Sequence, residues 1–99
     1  MWYCIIATDY KNSLSLRKKY RPKHLKRIEE LQSQGRLLIA GPFPKIDSVE
    51  PGPNGFTGSL IVAEFNSLLD ATEWAHKDPF MLNGVYKSVN VKPFKKTLP

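Results

Sequence analysis

Three residues at helical spacing are the first candidates for chemistry: Arg17, Arg21 and His24. On a helical wheel that turns about 100° per residue, Arg17 falls about 20° and Arg21 about 60° from His24. A neutral imidazole can accept a proton near neutral pH, and guanidinium groups bind carboxylate or enolate oxygens through paired hydrogen bonds. We therefore predict that His24 is a catalytic base and that Arg17 and Arg21 bind a small organic anion.

The wheel also separates this helix into a buried face and a solvated face. Ile28 and Leu31 fall within about 40° of His24, whereas six charged residues lie beyond roughly 95° from it. Those residues are Lys18, Lys19, Lys23, Lys26, Glu29 and Glu30. Lysines interrupted by glutamates are typical of a solvated surface and argue against a nucleic-acid interface, while the net charge of +6 favours an anionic ligand.

His24 has a second interpretation, as a core histidine that donates to a backbone carbonyl. A functional role is favoured because the positive end of a helix that starts near Pro22, together with Arg21, disfavours the charged imidazolium. Proline also disfavours helical geometry at Arg21, so we expect either a kink or a break there. A break would remove Arg17 from the His24 face.

A catalytic histidine needs a carboxylate that orients its ring, and two aspartates are candidates. Asp78 precedes Pro79, which favours an extended backbone in a fixed place at the end of the second predicted helix. Asp47 lies in a long loop and would reach His24 only on loop closure. Asp70 stands in capping-box position and is better explained as part of a helix cap. Asp78 is the first choice, and Asp47 is the alternative.

Metal and phosphate sites are not predicted. Cys4, His24 and His76 show none of the spacings that zinc or iron sites use. No P-loop or dinucleotide-binding glycine motif occurs in the chain. The expected chemistry is therefore acid and base catalysis without a cofactor.

The hydrophobic pattern predicts six regular elements. They are a strand over 2–8, a helix over 14–34, a short strand over 37–40 followed by a loop over 42–58, a strand over 59–65, a helix capped by Ser67 that ends at HKDP, and a strand over 85–93. The order βαββαβ is that of a ferredoxin-like α+β fold, with one antiparallel sheet and both helices on one face. The other sheet face needs a cover, which favours a homodimer.

The length and the single cysteine predict the number of domains and the cellular compartment. The chain of 99 residues has room for a single domain over 1–99. Cys4 cannot form an internal disulfide, which favours a reducing compartment, and its apolar neighbours predict a small core residue. The segment 1–10 contains neither a basic leader nor an apolar run long enough for a membrane span. We expect a cytoplasmic protein with no membrane partner.

Five segments of the chain are similar to the YCII-related proteins. They read RPKHLKRIEEL, GRLLIAGPFP, GFTGSLIVAEF, AHKDPF and GVYKSVNVKPFKK. The resemblance implies a ferredoxin-like domain that pairs into a dimeric α/β barrel, and a small cytoplasmic enzyme whose pocket is centred on a histidine and an aspartate. On residue context the histidine is His24, and the best match for the aspartate is Asp78, with Asp47 as its rival.

The resemblance also implies a class of reaction. One characterised relative is a dehydrochlorinase that acts on a chlorinated hydroxyquinol, and the wider superfamily includes muconolactone isomerase. Lyase or isomerase chemistry on a small oxygenated anion is the expectation by analogy. A non-catalytic dimer that binds such a ligand is the alternative, and a nucleic-acid-binding module that uses Lys92, Lys95 and Lys96 ranks third.

Overall fold

The chain folds into four strands and three helices, and the computed structural model describes all 99 residues. In chain order these are β1 (Trp2–Asp9), α1 (Leu14–Ser33), β2 (Leu37–Pro44), β3 (Phe56–Glu64), α2 (Leu68–His76), α3 (Pro79–Leu82) and β4 (Tyr86–Phe94). The predicted βαββαβ order and the ferredoxin-like α+β class are confirmed, while the one-turn helix α3 is an addition. None of the helices has the length and apolar composition that a membrane span requires.

The sheet places β1 at its centre. All strand pairs are antiparallel, and the spatial order is β2-β3-β1-β4. Along β1 the inward side chains, Tyr3, Ile5, Ala7 and Asp9, are buried, whereas the alternate ones are half-buried or exposed. This period of two is that of a strand with a core on one side. Strand β1 is therefore a central strand that has a core on one side within the chain.

Strand β2 continues beyond its predicted end at Ala40, through Gly41 to Pro44. The predicted loop over 42–58 is therefore wrong at both ends, because residues 42–44 pair with residues 56–59 of β3. Prolines are tolerated here because β2 is an edge strand, where the outward N–H groups have no strand partner. The loop itself spans 45–55 and contains a short 3-10 turn.

Helix α1 is continuous, with Pro22 inside it. The break considered above is absent, so Arg17 keeps its place on the His24 face. Proline removes the donor to the carbonyl of Lys18, and both residues are exposed, so water can replace the lost hydrogen bond. The residues that the wheel placed inward are buried: Arg17, His24, Ile28 and Leu31.

The core lies between the inner sheet face and the helices. Its larger cluster joins side chains from β1, β3, α1, α2 and the segment after β3: Tyr3, Ile5, Ile28, Leu31, Ile61, Ala63, Phe65, Ala71 and Ala75. A smaller cluster of Ala7, Phe80, Val85 and Tyr86 lies where α3 meets the sheet. This smaller cluster supports the site described below.

The opposite sheet face, here called the outer face, carries many apolar side chains beside polar ones such as Glu64, Asn90 and Lys92. Its apolar residues come from all four strands: Trp2, Cys4, Ile6, Ile39, Phe43, Leu60, Val62 and Phe94. Cys4 is half-buried on this face, so its predicted place in the core is wrong. Partial burial raises the pKa of the Cys4 thiol, and Lys92 opposes that shift. The alternation of side chains along β1 turns every second apolar residue away from the core.

Gly58 allows β1 and β3 to approach closely, because a Cβ at this position would overlap the Ala7 carbonyl oxygen. Gly58→Ala should separate the two strands and lower the free energy of unfolding by about 3 kcal/mol. Gly41→Ala in β2 is the matched control, since a Cβ there meets no atom within 4 Å. Urea denaturation followed by circular dichroism measures both variants. Equal stability of the two would contradict the steric argument.

Candidate active site

His24 and Asp78 form a buried pair between α1 and the start of α3. The Nδ1 atom of His24 lies 2.8 Å from Oδ1 and 2.9 Å from Oδ2 of Asp78. Only 7% of His24 and 2% of Asp78 are exposed. Because an ionised carboxylate can only accept, the ring proton is assigned to Nδ1. The alternative partner, Asp47, is exposed in the 45–55 loop.

Asp78 is held in place by the local sequence DPF. Its backbone is extended (φ −60°, ψ 132°), as predicted for a residue before proline, and its Oδ1 accepts a hydrogen bond of 2.9 Å from the Phe80 N–H. The carboxylate is thus the N-cap of α3, with Pro79 at the first turn. An aspartate followed by proline is a sequence signal for a helix start. A single turn is too short for hydrophobic periodicity to reveal the helix itself.

Aromatic rings fix the orientation of the imidazole. Phe80 stacks on His24 with ring centroids 3.9 Å apart and planes 7° from parallel, and Tyr86 meets the same ring edge-on, 6.3 Å away at 88°. With Nδ1 held by Asp78, the Nε2 atom makes no hydrogen bond within the chain. A neutral imidazole in this tautomer has a lone pair on Nε2 that can accept a proton.

Arg17 forms a second buried network, which was not predicted from the sequence. Its Nε and Nη2 groups donate to the two carboxylate oxygens of Asp9, at 2.6 and 3.0 Å. Nη2 also donates to the Gly58 carbonyl and the Ser59 hydroxyl, each at 2.9 Å. The charge of Arg17 is therefore paired within the protein, and Nη1 makes none of these bonds. The inward parity of Asp9 on β1 was the signal that sequence reasoning had available.

A cavity of about 750 Å³ opens beside His24, between α1 and the strands β2 and β3. Its wall includes Arg17, Arg21 and His24, so the three residues chosen on the wheel lie at one cavity. Arg21 is exposed and has no hydrogen-bond partner in the chain, in contrast to Arg17. Mostly apolar walls with a few polar groups are typical of small-molecule sites. No cluster of three or more His, Cys, Asp and Glu side chains is arranged to hold a metal ion.

Two charged residues assigned to solvent, Lys18 and Glu29, are exposed but also line this cavity. Both fall on the same side of His24 as Arg21 on the wheel, whereas the other lysines and Glu30 fall on the opposite side. The angle from His24 alone does not separate these two groups. The direction of rotation does, but the position of the sheet decides which flank of the helix faces the cavity.

Two buried polar groups near the pair lack a full set of partners. The Tyr86 hydroxyl lies near Ser59 without a well-formed hydrogen bond, and Nη1 of Arg27 has no acceptor. Burial, and then the charge of Asp78, raises the pKa of Tyr86 well above its ordinary value. Burial lowers the pKa of Arg27, while Asp78 opposes that shift. Nη2 of Arg27 donates to the Trp74 carbonyl at 2.8 Å, which joins α1 to α2.

Comparison with known proteins identifies the family of this chain. Residues 1–95 match the profile of the YCII-related domain. The chain belongs to the YCII-related family. The resemblance drawn from the five sequence segments is thereby confirmed.

Relatives from two bacteria cover nearly the whole chain. The chain is 53% identical over 96 residues to Protein YciI of Escherichia coli, which covers 97% of this chain and 98% of that protein. It is 49% identical over 96 residues to an uncharacterized protein of Haemophilus influenzae, with coverage of 97% and 98%. The region shared with the family therefore includes all four strands and all three helices.

One solved structure shares the fold closely. It is 5-chloro-2-hydroxyhydroquinone dehydrochlorinase from Burkholderia phenoliruptrix, in complex with 2,5-dihydroxybenzoquinone. The TM-score is 0.82 at 24% sequence identity, and the match covers 96% of this chain and 94% of that chain. At this identity the similarity establishes the common fold.

Removal of the Tyr86 hydroxyl tests whether this buried group lacks a hydrogen-bond partner. Because the pKa of Tyr86 is raised, the folded state keeps a proton that the unfolded state loses near its ordinary value of 10, so stability falls as pH rises past 10. Tyr86→Phe removes this dependence and an unpaired buried hydroxyl, so the free energy of unfolding should rise by about 1 kcal/mol at neutral pH and by more in alkali.

Urea denaturation at neutral and alkaline pH measures the effect. Tyr10→Phe is the control, because half of Tyr10 is exposed and its hydroxyl can reach water. A lower free energy of unfolding for Tyr86→Phe at both pH values would show that the hydroxyl has a stabilising partner.

Proposed function

We propose that the protein is an enzyme that uses His24 and Asp78 for acid and base chemistry on a small organic anion. The observation that carries this proposal is the buried pair, in which Asp78 holds Nδ1 while His24 lines a cavity. A carboxylate that orients one imidazole nitrogen leaves the other ready to exchange a proton with a ligand. A purely structural histidine would gain nothing from a place at the wall of an open cavity.

In the proposed step, Nε2 accepts a proton from an acidic O–H or C–H group of the ligand. The ring becomes imidazolium, and the Asp78 carboxylate, 2.8 Å from Nδ1, stabilises its charge. The stacked Phe80 ring keeps the imidazole plane fixed during the transfer. The electron pair left on the ligand then expels a leaving group or takes up a proton at another atom, which is lyase or isomerase chemistry.

The two arginines have different parts in this proposal. Arg21 has no partner in the chain, so it can pair with an anionic oxygen and supply the electrostatic attraction. Arg17 is fixed by Asp9 and offers its Nη1 group in a set direction. A donor that is already oriented needs no reorganisation when negative charge develops on the ligand.

The dehydrochlorinase with the same fold supports a lyase reaction on an oxygenated ring. That protein is named for a chlorinated hydroxyhydroquinone, and its structure holds a small quinone. A ring with acidic hydroxyl groups suits a neutral base flanked by cationic side chains. We therefore propose elimination of HCl, or isomerisation, of a compound of this class. The proposed step uses protein side chains as proton acceptor and orienting group, without a cofactor.

His24→Gln tests the enzyme proposal directly. Glutamine can still donate to Asp78 but cannot accept a proton, so chloride release from 5-chloro-2-hydroxyhydroquinone should fall by about a hundredfold or more. His76→Gln is the matched control, because His76 is exposed at the end of α2, and it should keep the wild-type rate. Ion chromatography of chloride measures each rate. Equal rates for the wild type and His24→Gln would rule out His24 as the base.

A non-catalytic dimer that binds a small anion would use the same cavity. It would bind 2,5-dihydroxybenzoquinone with equal affinity in the wild type and in His24→Gln, and it would release no chloride. Titration calorimetry with this quinone separates the two functions. The Asp78 contact favours the enzyme, because proton transfer depends on a fixed tautomer more strongly than ligand binding does.

We further propose that the chain forms a homodimer through its outer face, as in a dimeric α/β barrel, and acts in the cytoplasm. The outer face carries many apolar side chains, and Phe94 and Ile39 on it are 39% and 53% exposed. Such a surface in water is an aggregation site that a second copy can cover. The lone thiol of Cys4 suits a reducing compartment.

Ile6→Lys tests this dimer by placing a charge on the outer face. The variant should elute as a monomer in size-exclusion chromatography with light scattering, because burial of an unpaired charge opposes association. Ile46→Lys, the same change in the 45–55 loop, is the matched control and should remain dimeric. Alkylation of Cys4 should also slow as wild-type concentration rises. A wild type that is monomeric at every concentration would disprove the dimer.

A further inference from the structure

The cavity beside His24 has a basic end and an acidic end. Arg17, Lys18 and Arg21 line it in the first half of α1. Glu29 and Gln32 line it near the end of the same helix. A ligand in this cavity therefore meets positive charge at one end only.

Strand β2 lies along the cavity from its acidic end to its basic end. At the basic end, Ser59 accepts from Arg17 and pairs with Pro42 of β2. At the acidic end, Leu37 begins β2 and pairs with Ala63, just after the turn that follows α1. The wall thus extends from one end of the helix to the other.

The wall between the two ends is apolar, with side chains from α1, β2 and β3: Leu25, Ile28, Leu37, Ala40 and Ile61. With a rise of 1.5 Å per residue, Arg21 and Gln32 are about 16 Å apart along α1. A single ring held at His24 would leave much of the 750 Å³, and the half-buried Leu25 and Leu37 beside it, in contact with water. Contact with a longer apolar group would remove that surface from water.

We infer that the site takes an organic monoanion with an elongated apolar body. The charged head lies between Arg21 and His24, and the body lies along the apolar wall toward Gln32. Glu29 repels a second negative charge at that end, so a dianion of the same length binds more weakly. The inference rests on the proposed function only for the position of the head.

Straight-chain carboxylates probe the length of the site. Affinity should rise from butanoate through hexanoate to octanoate, by up to about fourfold for each added methylene group. Octanedioate should bind several-fold more weakly than octanoate. Dissociation constants come from NMR titration of the full chain, and shifts at Leu25, Ile28 and Leu37 locate the bound chain.

Glu29→Gln tests the charge discrimination. The variant should bring the affinity for octanedioate close to that for octanoate, while the affinity for octanoate changes little. Glu30→Gln is the matched control, because Glu30 is exposed and lies outside the cavity wall, and it should keep the wild-type ratio. An unchanged ratio in Glu29→Gln would overturn the assignment of the monoanion preference to this residue.

The length series separates this inference from the proposed function. Affinity that does not depend on chain length, with butanoate still bound at Arg21, would overturn the elongated ligand and leave the acid and base proposal standing. If no carboxylate perturbs the residues of the cavity, the elongated monoanion is ruled out, whereas the acid and base proposal is still decided by chloride release in the wild type and in His24→Gln.

Discussion

A buried carboxylate, that of Asp78, is the constraint on which the arrangement of the site depends. A charge that is 98% shielded from water is stable only when hydrogen bonds replace its hydration. His24 Nδ1 from α1 and the Phe80 N–H from α3 supply those bonds. The same oxygens therefore cap one helix, join it to another and select the tautomer of the imidazole. The contacts that stabilise this end of the domain are also those that fix the orientation of the His24 ring.

The ion pair of Arg17 and Asp9, at the basic end of the cavity, likewise replaces the hydration of buried charges with hydrogen bonds. It is also buried, and it uses the carbonyl of Gly58 and the hydroxyl of Ser59 to satisfy the guanidinium. Pairing neutralises Arg17, so the net positive charge of the basic end comes from the exposed Arg21 and Lys18. Arg17 therefore has a fixed orientation, whereas Arg21 and Lys18 on the same helix carry the unpaired positive charge.

The space for a ligand follows from the composition of the edge strand. Helix α1 lies over β2 and β3, and the middle of β2 contributes the small residues Ala40 and Gly41 to the cavity wall. Of these two, Ala40 lies on the inner face beside Ile61, and its side chain is too small to fill the gap to the helix. The inner sheet face carries the core and the cavity, whereas the helices leave the outer face uncovered.

The sequence by itself determined what depends on neighbours along the chain. Helical periodicity sufficed to place Arg17 and His24 inward, and Pro79 sufficed to predict the extended backbone of Asp78. These predictions hold because covalent geometry and local sterics act over a few residues. The order of the elements followed in the same way and led to the correct fold class.

Only the tertiary structure decided which distant groups meet. The pairing of Asp9 with Arg17, the choice of Asp78 over Asp47 beside His24, and the continuation of β2 through its prolines each depend on packing between separate elements. Periodicity identifies the buried side of a helix, but the neighbour on either flank depends on the sheet. For that reason Glu29 joined the cavity and Glu30 did not, although the two residues are adjacent in sequence.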